Sequence, residues 1–269
     1  MSAATAQDSV LQFAALHWRD RPLRIEYQWV GDPASRAPVV VFLHEGLGSV
    51  SMWRDFPSRF CATHGFKGLV FSRYGYGQST PKPADEHWAP DVMHQQAHDV
   101  LPMLLAHLHI ERPWLFGHSD GGSIALLYAS KFAVAGIVVV APHIFVEDIS
   151  IASIEQAREA YATTDLRSRL ARHHADPDSA FRGWNDIWLN PAFRRWNIEP
   201  ALDSITCPVL AVQGENDEYG TLEQIRGIAR RVPQTELMVI PNCGHSPHRD
   251  QPETLTRSAA RFIHDHNLS

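Results

Sequence analysis

The chain has 269 residues, of which 44% are hydrophobic and 20% charged, with 24 basic and 30 acidic side chains and a formal net charge of −6. This composition is typical of a globular chain with one sizeable core. The mild acidity excludes a nucleic-acid surface or an anionic-membrane surface, because both need clustered Lys and Arg. No stretch reaches the roughly 18 to 20 consecutive apolar residues of a membrane span.

The first eight residues contain neither the basic nor the apolar segment of a secretory signal. The cysteines Cys61, Cys207 and Cys243 are scattered and form no C-x-x-C motif, which fits free thiols in a reducing compartment. From these features we expect a cytoplasmic protein. The chain has an unusually large number of histidines, 16, which raises the question of a metal site.

Along the chain, two polar-flanked stretches at 16–18 and 23–30 predict extended structure, and the second alternates as a half-buried strand does. Short apolar runs follow, and such runs predict strands buried on both faces of a parallel sheet. These runs lie at 38–43, 68–71, 114–116, 137–140, 209–212 and 237–240. Apolar residues at helical spacing lie between the runs and after the last, at 93–108, 222–229 and 255–263. The repeated order of strand, helix and strand predicts an α/β fold with a mostly parallel, doubly wound sheet of about eight strands.

Two segments depart from this alternation. Pro102 interrupts the first helical stretch, where we expect a kink or two short helices. Residues 144–200 have no convincing strand and several short, Trp-rich helical patterns. We interpret this segment as a helical cap, or lid, inserted after the sixth strand, with residues 1–143 and 201–269 forming the α/β core. The alternative is that the insertion only packs against the scaffold.

The clearest chemical motif is Gly117-His118-Ser119-Asp120-Gly121, which follows a predicted strand and precedes an apolar helical stretch. A G-x-S-x-G motif in this context is a nucleophile elbow, in which a sharp turn exposes the serine hydroxyl. Glycines flank the serine because no side chain fits where the helix and strand close on each other. Ser119 is therefore the candidate nucleophile.

A serine hydroxyl needs a base to take its proton, and the base needs a carboxylate to orient it. Loops after the last two predicted strands contain Asp217 and His245. The order Ser119, Asp217, His245 is the one expected for this elbow type. We therefore assign Asp217 as the acid and His245 as the base.

Other acids and one other histidine compete for these roles. Glu215 and Glu218 lie in the same loop as the preferred acid, and Glu147 and Asp148 follow the strand run at 137–140. His248 is the local competitor for the base.

The tetrahedral oxyanion of acyl transfer needs a pair of hydrogen-bond donors. The elbow supplies one, the backbone N–H of Asp120. The second should come from the loop that follows the first buried strand, at 44–49. Gly46 is the preferred donor and Leu47 the alternative.

Together these motifs resemble the α/β-hydrolase fold superfamily, of the capped serine-hydrolase type, over about residues 23–263. The turn Arg73-Tyr74-Gly75-Tyr76-Gly77-Gln78-Ser79 and the loop Asn242-Cys243-Gly244-His245 add to the resemblance. Two departures stand out. Family members often carry Asp where this chain has Ser72, and many have His-Gly where it has His44-Glu45. The first affects loop bracing, and the second puts a carboxylate beside the oxyanion loop.

Several further side chains are candidates for a substrate pocket: Glu45, Leu47, His118, His143, Trp184 and Trp188. Trp53 and Trp196 could join an aromatic wall or belong to the core. Arg182, Arg194 and Arg195 could meet a substrate carboxylate, although a solvated helix face explains them as well.

The histidine count does not point to a metal. His94 and His98 are four residues apart, but no third ligand accompanies them and the H-E-x-x-H motif is absent. Cys243 lies two residues before His245, and we interpret it as a small buried residue. We expect no metal and no cofactor.

The resemblance implies a cofactor-independent serine hydrolase of the carboxylesterase or C–C bond hydrolase type. It would act on a small-molecule carboxylic ester or related acyl compound through an acyl-enzyme. Lactonases, thioesterases and amidases use the same triad, and a lyase or synthase would use it without an acyl-enzyme. A ligand-binding protein that retains the fold is the alternative outside enzymes. We expect a small-molecule substrate and neither a nucleic-acid nor a membrane partner, and the sequence carries no signal for the oligomeric state.

Overall fold

A computed structural model describes residues 10–32, 36 and 39–267. The segment examined for a secretory signal, 1–8, lies outside these residues. The described residues form one eight-stranded sheet, in the order β1-β2-β4-β3-β5-β6-β7-β8. The strands are β1 (Gln12–Trp18), β2 (Arg21–Gly31), β3 (Val39–Leu43), β4 (Lys67–Phe71), β5 (Trp114–His118), β6 (Gly136–Val140), β7 (Val209–Gly214) and β8 (Thr235–Ile240).

The strands of the sheet differ in direction and in burial. The edge strand β8 is parallel to β7, but its Leu237 and Val239 are each 45% exposed, so the predicted burial of the run at 237–240 on both faces is wrong. The pairs β1/β2 and β2/β4 are antiparallel, and all the remaining pairs are parallel. The central strands β5, β6 and β7 are buried along their whole length, as expected for continuous apolar runs covered by helices on both faces. The predicted doubly wound, mostly parallel sheet of about eight strands is confirmed.

Eleven α-helices lie in the described part of the chain, together with short 3-10 turns. They are α1 (Phe56–His64), α2 (Val92–Gln95), α3 (Leu101–His107), α4 (Asp120–Ala129), α5 (Asp148–Thr163), α6 (Leu166–Leu170), α7 (Pro177–Trp188), α8 (Glu199–Leu202), α9 (Glu223–Arg231), α10 (Pro247–Asp250) and α11 (Pro252–His266). No helix among these described residues has the length and apolar character needed to cross a bilayer.

The helical stretch around Pro102 changes its helix type along its length but has no gap. Between α2 and α3, residues Gln96–Val100 form a π-helical turn, and Pro102 lies in the first turn of α3. A proline is tolerated in a first turn because its missing N–H would have no partner there. The expected two short helices are therefore joined by a wider turn into one continuous helical segment.

Helices α5 to α8 lie between β6 and β7, and the described residues of this segment form only one isolated β-bridge, between Phe145 and Asn197. Their buried apolar side chains, including Phe181, Ile187 and Phe193, belong to the same cluster as one face of the sheet. The insertion is thus packed onto the core, and its role as a cap stays a prediction.

Candidate active site

Ser119 lies between β5 and α4 in a strained backbone conformation, with φ 53° and ψ −120°. A non-glycine residue reaches this region only where its surroundings hold it there, which is common at functional sites. At Gly121 a Cβ atom would lie 2.1 Å from the carbonyl oxygen of Leu43. The glycine therefore permits the close approach of α4 to β3 that holds the serine in its turn.

Three side chains from separate loops form a chain of hydrogen bonds. His245 Nε2 lies 2.9 Å from Ser119 Oγ, and His245 Nδ1 lies 2.8 Å from Asp217 Oδ1. All three residues are at least nine-tenths buried. They meet because β5, β7 and β8 are neighbouring or nearby parallel strands whose carboxyl ends share one edge of the sheet.

The Asp217 carboxylate is held from three further directions. Its Oδ1 accepts backbone N–H groups of Tyr219 at 2.8 Å and Gly220 at 3.3 Å, and its Oδ2 accepts Gln213 Nε2 at 3.1 Å. Burial alone would raise the pKa of Asp217, but the hydrogen bond and charge of His245 and the Tyr219 amide hold it below its usual value. The carboxylate is therefore ionised and fixed facing the imidazole.

The alternative acids occupy other positions. Glu218 accepts the backbone N–H of His245 at 3.0 Å, so it holds the loop and not the ring. Glu215 is exposed. Glu147 accepts hydrogen bonds from residues at the start of α9, and Asp148 pairs with an arginine of the insertion.

The peptide that joins Glu45 to Gly46 is unusually well fixed. The Glu45 carbonyl oxygen accepts three hydrogen bonds, from His44 Nδ1 at 2.7 Å, Arg73 Nη2 at 2.8 Å and the Gly48 N–H at 3.1 Å. Arg73 also donates its backbone N–H to His44 Nε2 at 3.0 Å, so the His44 proton must reside on Nδ1. These donors set the plane of the peptide whose N–H belongs to Gly46.

Gly46 is packed against an aromatic wall. A Cβ atom at this position would lie 2.1 Å from Trp184 Nε1, so no side chain fits without moving the indole. Among the described residues, the backbone N–H groups of Gly46, Leu47 and Asp120 donate to no protein acceptor. These amides are available to an oxyanion beside the serine.

Glu45 and His118 connect the loop at 44–49 to the loop that contains His245. His118 donates from Nε2 to the carbonyl oxygen of His245 at 2.8 Å, and its Nδ1 lies 3.6 Å from Glu45 Oε2. Glu45 Oε1 lies 3.5 Å from Arg249. Burial alone would raise the pKa of Glu45, but the interaction with His118 holds it well below its usual value. The departure from His-Gly thus places an ionised carboxylate between two loops of the site.

A cavity of about 290 Å³ opens beside the serine, and each of the predicted pocket residues lines it: Glu45, Leu47, His118, His143, Trp184 and Trp188. Five lining residues were not predicted. Ser246 directly follows the base, and the other four are Ser150, Ile154, Tyr219 and Arg249. Tyr219 could have been found from its position two residues after the acid, since its ring centroid lies 4.7 Å from that of His245. The other three are brought in by packing between distant segments.

Two of the four candidate tryptophans belong to the core and not to the cavity wall. Trp53 is 3% exposed and packs with Phe56 and Phe116, and Trp196 stacks on Phe193.

Of the three candidate arginines, Arg194 forms an ion pair with Asp148 at 2.5 Å, and none of the three lines the cavity beside Ser119.

Two buried titratable groups near the site, His143 and Cys243, are neutral. Burial, with a smaller effect of His245, lowers the pKa of His143 to about 3. Burial raises the pKa of the Cys243 thiol to about 11, so a thiolate is disfavoured. His94 and His98 have ring centroids 5.9 Å apart, and no three potential metal ligands group together within the described ranges.

A carboxylate braces the bend after β4, although the chain has Ser72 where a family Asp was expected. It comes from Glu26 of β2, whose Oε2 accepts Ser72 Oγ at 2.5 Å and the Gln78 N–H at 2.8 Å. Ser72 in turn accepts the backbone N–H of Val50 at 2.9 Å. The brace therefore joins β2, the bend and the segment that follows the oxyanion loop.

We expect Glu26→Ala to lower the free energy of unfolding by about 2 to 4 kcal/mol, because buried donors lose their acceptor. Urea unfolding followed by circular dichroism measures this effect. Glu236→Ala, on the exposed face of β8, is the matched control and should change stability by less than about 0.5 kcal/mol. Equal stability of the two variants would contradict the bracing role.

Comparison with known proteins decides the family. The model of the alpha/beta hydrolase family matches residues 40–257. The chain belongs to the alpha/beta hydrolase family. This agrees with the sheet order described above and with the expected resemblance.

The chain shares about a quarter of its residues with each of two curated relatives. The chain is 26% identical to 2-succinyl-6-hydroxy-2,4-cyclohexadiene-1-carboxylate synthase of Salmonella typhimurium, over 87% of this chain and 96% of the relative. It is also 26% identical to the putative carbamate hydrolase RutD of a Caulobacter species, over 87% and 93%. A thermophilic esterase from Thermogutta terrifontis superposes with a TM-score of 0.73 at 19% identity, over 96% of this chain and 99% of the esterase. The comparisons thus support a hydrolase or a synthase of this fold.

Proposed function

We propose that the chain is a cofactor-independent serine hydrolase that acts on a small-molecule carboxylic ester or a related acyl compound. The observation that carries the proposal is the hydrogen-bonded chain from Ser119 through His245 to Asp217 at the wall of the 290 Å³ cavity. The relatives named as an esterase and as a putative carbamate hydrolase support the same class of acyl transfer to water.

In this mechanism, His245 Nε2 takes the proton of Ser119 Oγ as the oxygen attacks the substrate carbonyl carbon. The backbone N–H groups of Gly46 and Asp120 stabilise the resulting oxyanion. The imidazolium then protonates the leaving alcohol as the ester bond breaks. A water molecule, deprotonated by His245, attacks the acyl-enzyme and releases the acid, while Asp217 keeps the His245 proton on Nδ1.

Residues 144–200 would act as a cap over this cavity. Ser150 and Ile154 from α5, with Trp184 and Trp188 from α7, form part of its wall. A substrate would therefore bind between the insertion and the ends of the strands. A cytoplasmic location is the companion proposal, and it is supported by the free state of the three cysteines.

A synthase of the same fold is the second candidate, because the Salmonella relative carries that name. It would use the same base and nucleophile positions to remove a proton from a substrate and eliminate a group, without a covalent acyl-enzyme. Acid quench during turnover, followed by intact-protein mass spectrometry, separates the two. An acylated Ser119 supports the hydrolase, and product formation without any adduct supports the synthase.

Labelling with a fluorophosphonate tests the nucleophile directly. We expect one covalent adduct, mapped by mass spectrometry to Ser119, and none on Ser119→Ala. Ser246→Ala is the matched control, since Ser246 also lines the cavity, and it should label as the wild type does. Absence of labelling, together with no turnover of p-nitrophenyl esters of graded chain length, would overturn the proposal.

The fixed oxyanion peptide gives a further prediction. Arg73→Gln removes the cationic donor to the Glu45 carbonyl, so the Gly46 N–H is less polarised and less firmly oriented. We expect kcat to fall about tenfold, less than the 10²- to 10³-fold loss of an oxyanion donor itself, with little change in KM. Steady-state kinetics of ester hydrolysis measure the separate effects on kcat and KM. Arg73→Lys should recover part of kcat. A change confined to KM would contradict this role.

A further inference from the structure

A second cavity, of about 490 Å³, lies between the segment 52–64 and the segment 248–257. It is larger than the cavity beside Ser119 and shares one lining residue with it, Arg249. Four arginines line it, so we call it the arginine groove: Arg54, Arg59, Arg249 and Arg257. The mechanism above does not use this groove.

The groove is basic in a chain whose net charge is −6. Its four arginines face two acidic lining residues, Asp55 and Glu253. Arg59 has a long contact with Asp55 at 3.7 Å, and Arg249 contacts Glu45 at 3.5 Å. Within the part of the chain that the structure describes, Arg54 and Arg257 form no ion pair, so two guanidinium groups remain for an anion.

Two residues that line the groove contain buried nitrogen atoms without partners. His248 is 6% exposed and Trp53 is 3% exposed. Neither nitrogen of His248, nor Nε1 of Trp53, has a hydrogen-bond partner in the described structure. The two rings lie 5.1 Å apart. Buried polar groups in native proteins are almost always hydrogen-bonded, and these unpartnered nitrogen atoms belong to residues that line the same groove as the four arginines.

The backbone at the edge of the groove is strained. Arg54 has φ 54° and ψ −133°, a region that non-glycine residues rarely adopt. The side chain it presents is one of the two unpaired guanidinium groups. Backbone strain of this kind persists only where the surrounding structure holds the residue in that conformation, and it is common at binding sites.

We propose that the arginine groove is a second ligand site, for an anionic group carried on a flat apolar body. The phosphate or carboxylate would pair with Arg54 and Arg257. The body would lie on the wall formed by Trp53 and Phe56, whose rings stack at 5.9 Å with an angle of 19°. Aryl phosphates and aryl carboxylates share this chemistry.

Isothermal titration calorimetry of the full chain with phenyl phosphate, benzoate and inorganic phosphate tests the site. We expect one molecule to bind per chain, in the millimolar range or tighter, and phenyl phosphate or benzoate to bind at least tenfold more tightly than inorganic phosphate. The preferred aryl anion identifies the charged group. Equal affinity for inorganic phosphate would mean an adventitious ion only, and no binding by any probe would overturn the site.

Variants locate the binding. Arg54→Gln combined with Arg257→Gln should weaken the binding of the aryl anion at least tenfold, and Arg169→Gln, an exposed arginine in the insertion, should not. Arg54→Gly should also weaken binding while the melting temperature stays equal or rises, because glycine relieves the strain. Trp188→Phe, in the catalytic cavity, should leave binding unchanged. Weakening by Trp188→Phe, or full affinity in the double arginine variant, would overturn the proposal.

Discussion

Replacing Asp217 by Asn should lower kcat for ester hydrolysis about 10⁴-fold while leaving the melting temperature close to that of the wild type. Asn is nearly the same size, but its amide can donate to His245 Nδ1. That donation places the imidazole proton on Nε2, the atom that must accept the Ser119 proton. Steady-state kinetics and a thermal melt of the same preparation measure the two effects.

Glu218→Gln is the matched control, because Glu218 lies next to Asp217 and its carboxylate accepts the backbone N–H of His245, not a ring N–H. We expect it to lower kcat less than about tenfold, since the amide oxygen can still accept that backbone N–H. If Glu218→Gln were the more damaging change, the assignment of the acid would be wrong.

Stability should fall steeply between pH 6.5 and pH 4. Four buried histidines have pKa values lowered mainly by burial, to about 3 for His143, to about 4 for His174, and well below the usual value for His44 and His248. The unfolded chain binds protons on these groups near pH 6.5 and the folded chain does not, so acid favours unfolding. Between pH 7.5 and pH 5.5 the four groups together should lower the free energy of unfolding by a few kcal/mol.

Hydrogen bonds explain why two of these histidines must stay neutral. His174 accepts the backbone N–H of Gly77 on Nδ1 at 2.9 Å and donates from Nε2 to the Leu47 carbonyl at 2.9 Å. His44 has the corresponding pair of one accepted and one donated hydrogen bond. A second proton on either ring would break a bond to the loops of the site.

Chemical unfolding at pH 7.5 and at pH 5.5 measures the loss in the free energy of unfolding. His248→Phe should make this loss measurably smaller, because a phenyl ring keeps the packing and removes one of the four proton sites. His17→Gln, on the exposed edge of β1, should leave the loss unchanged. A loss of equal size in wild type and His248→Phe would contradict this account.

Local patterns predicted the sheet and helices because period and burial are properties of short segments. The apolar runs that became β5, β6 and β7 are buried along their length. The Ser119 elbow also depends on a local context of strand, turn and helix. The loops with Asp217 and His245 could be placed because parallel strands bring their carboxyl ends to one edge.

Contacts between distant segments could not be predicted in this way. The Glu26 brace joins residues 46 positions apart, and nothing in the local pattern of β2 distinguishes its buried carboxylate from the exposed polar residues of a half-buried strand. Likewise, the three donors on the Glu45 carbonyl depend on how the bend after β4 packs beside β3. Such contacts follow from tertiary packing, which a single sequence does not display.

The brace between Glu26 and Ser72 has a consequence for evolution. Both residues are almost completely buried, at 4% and 0% exposed, so the space holds one carboxylate and not two, because like charges repel strongly there. Relatives with Asp at the position of Ser72 should therefore lack an acid at the position of Glu26, and the two positions should change together. If the two substitutions occur one after the other, the ancestor between them has either two acids or none at these two positions.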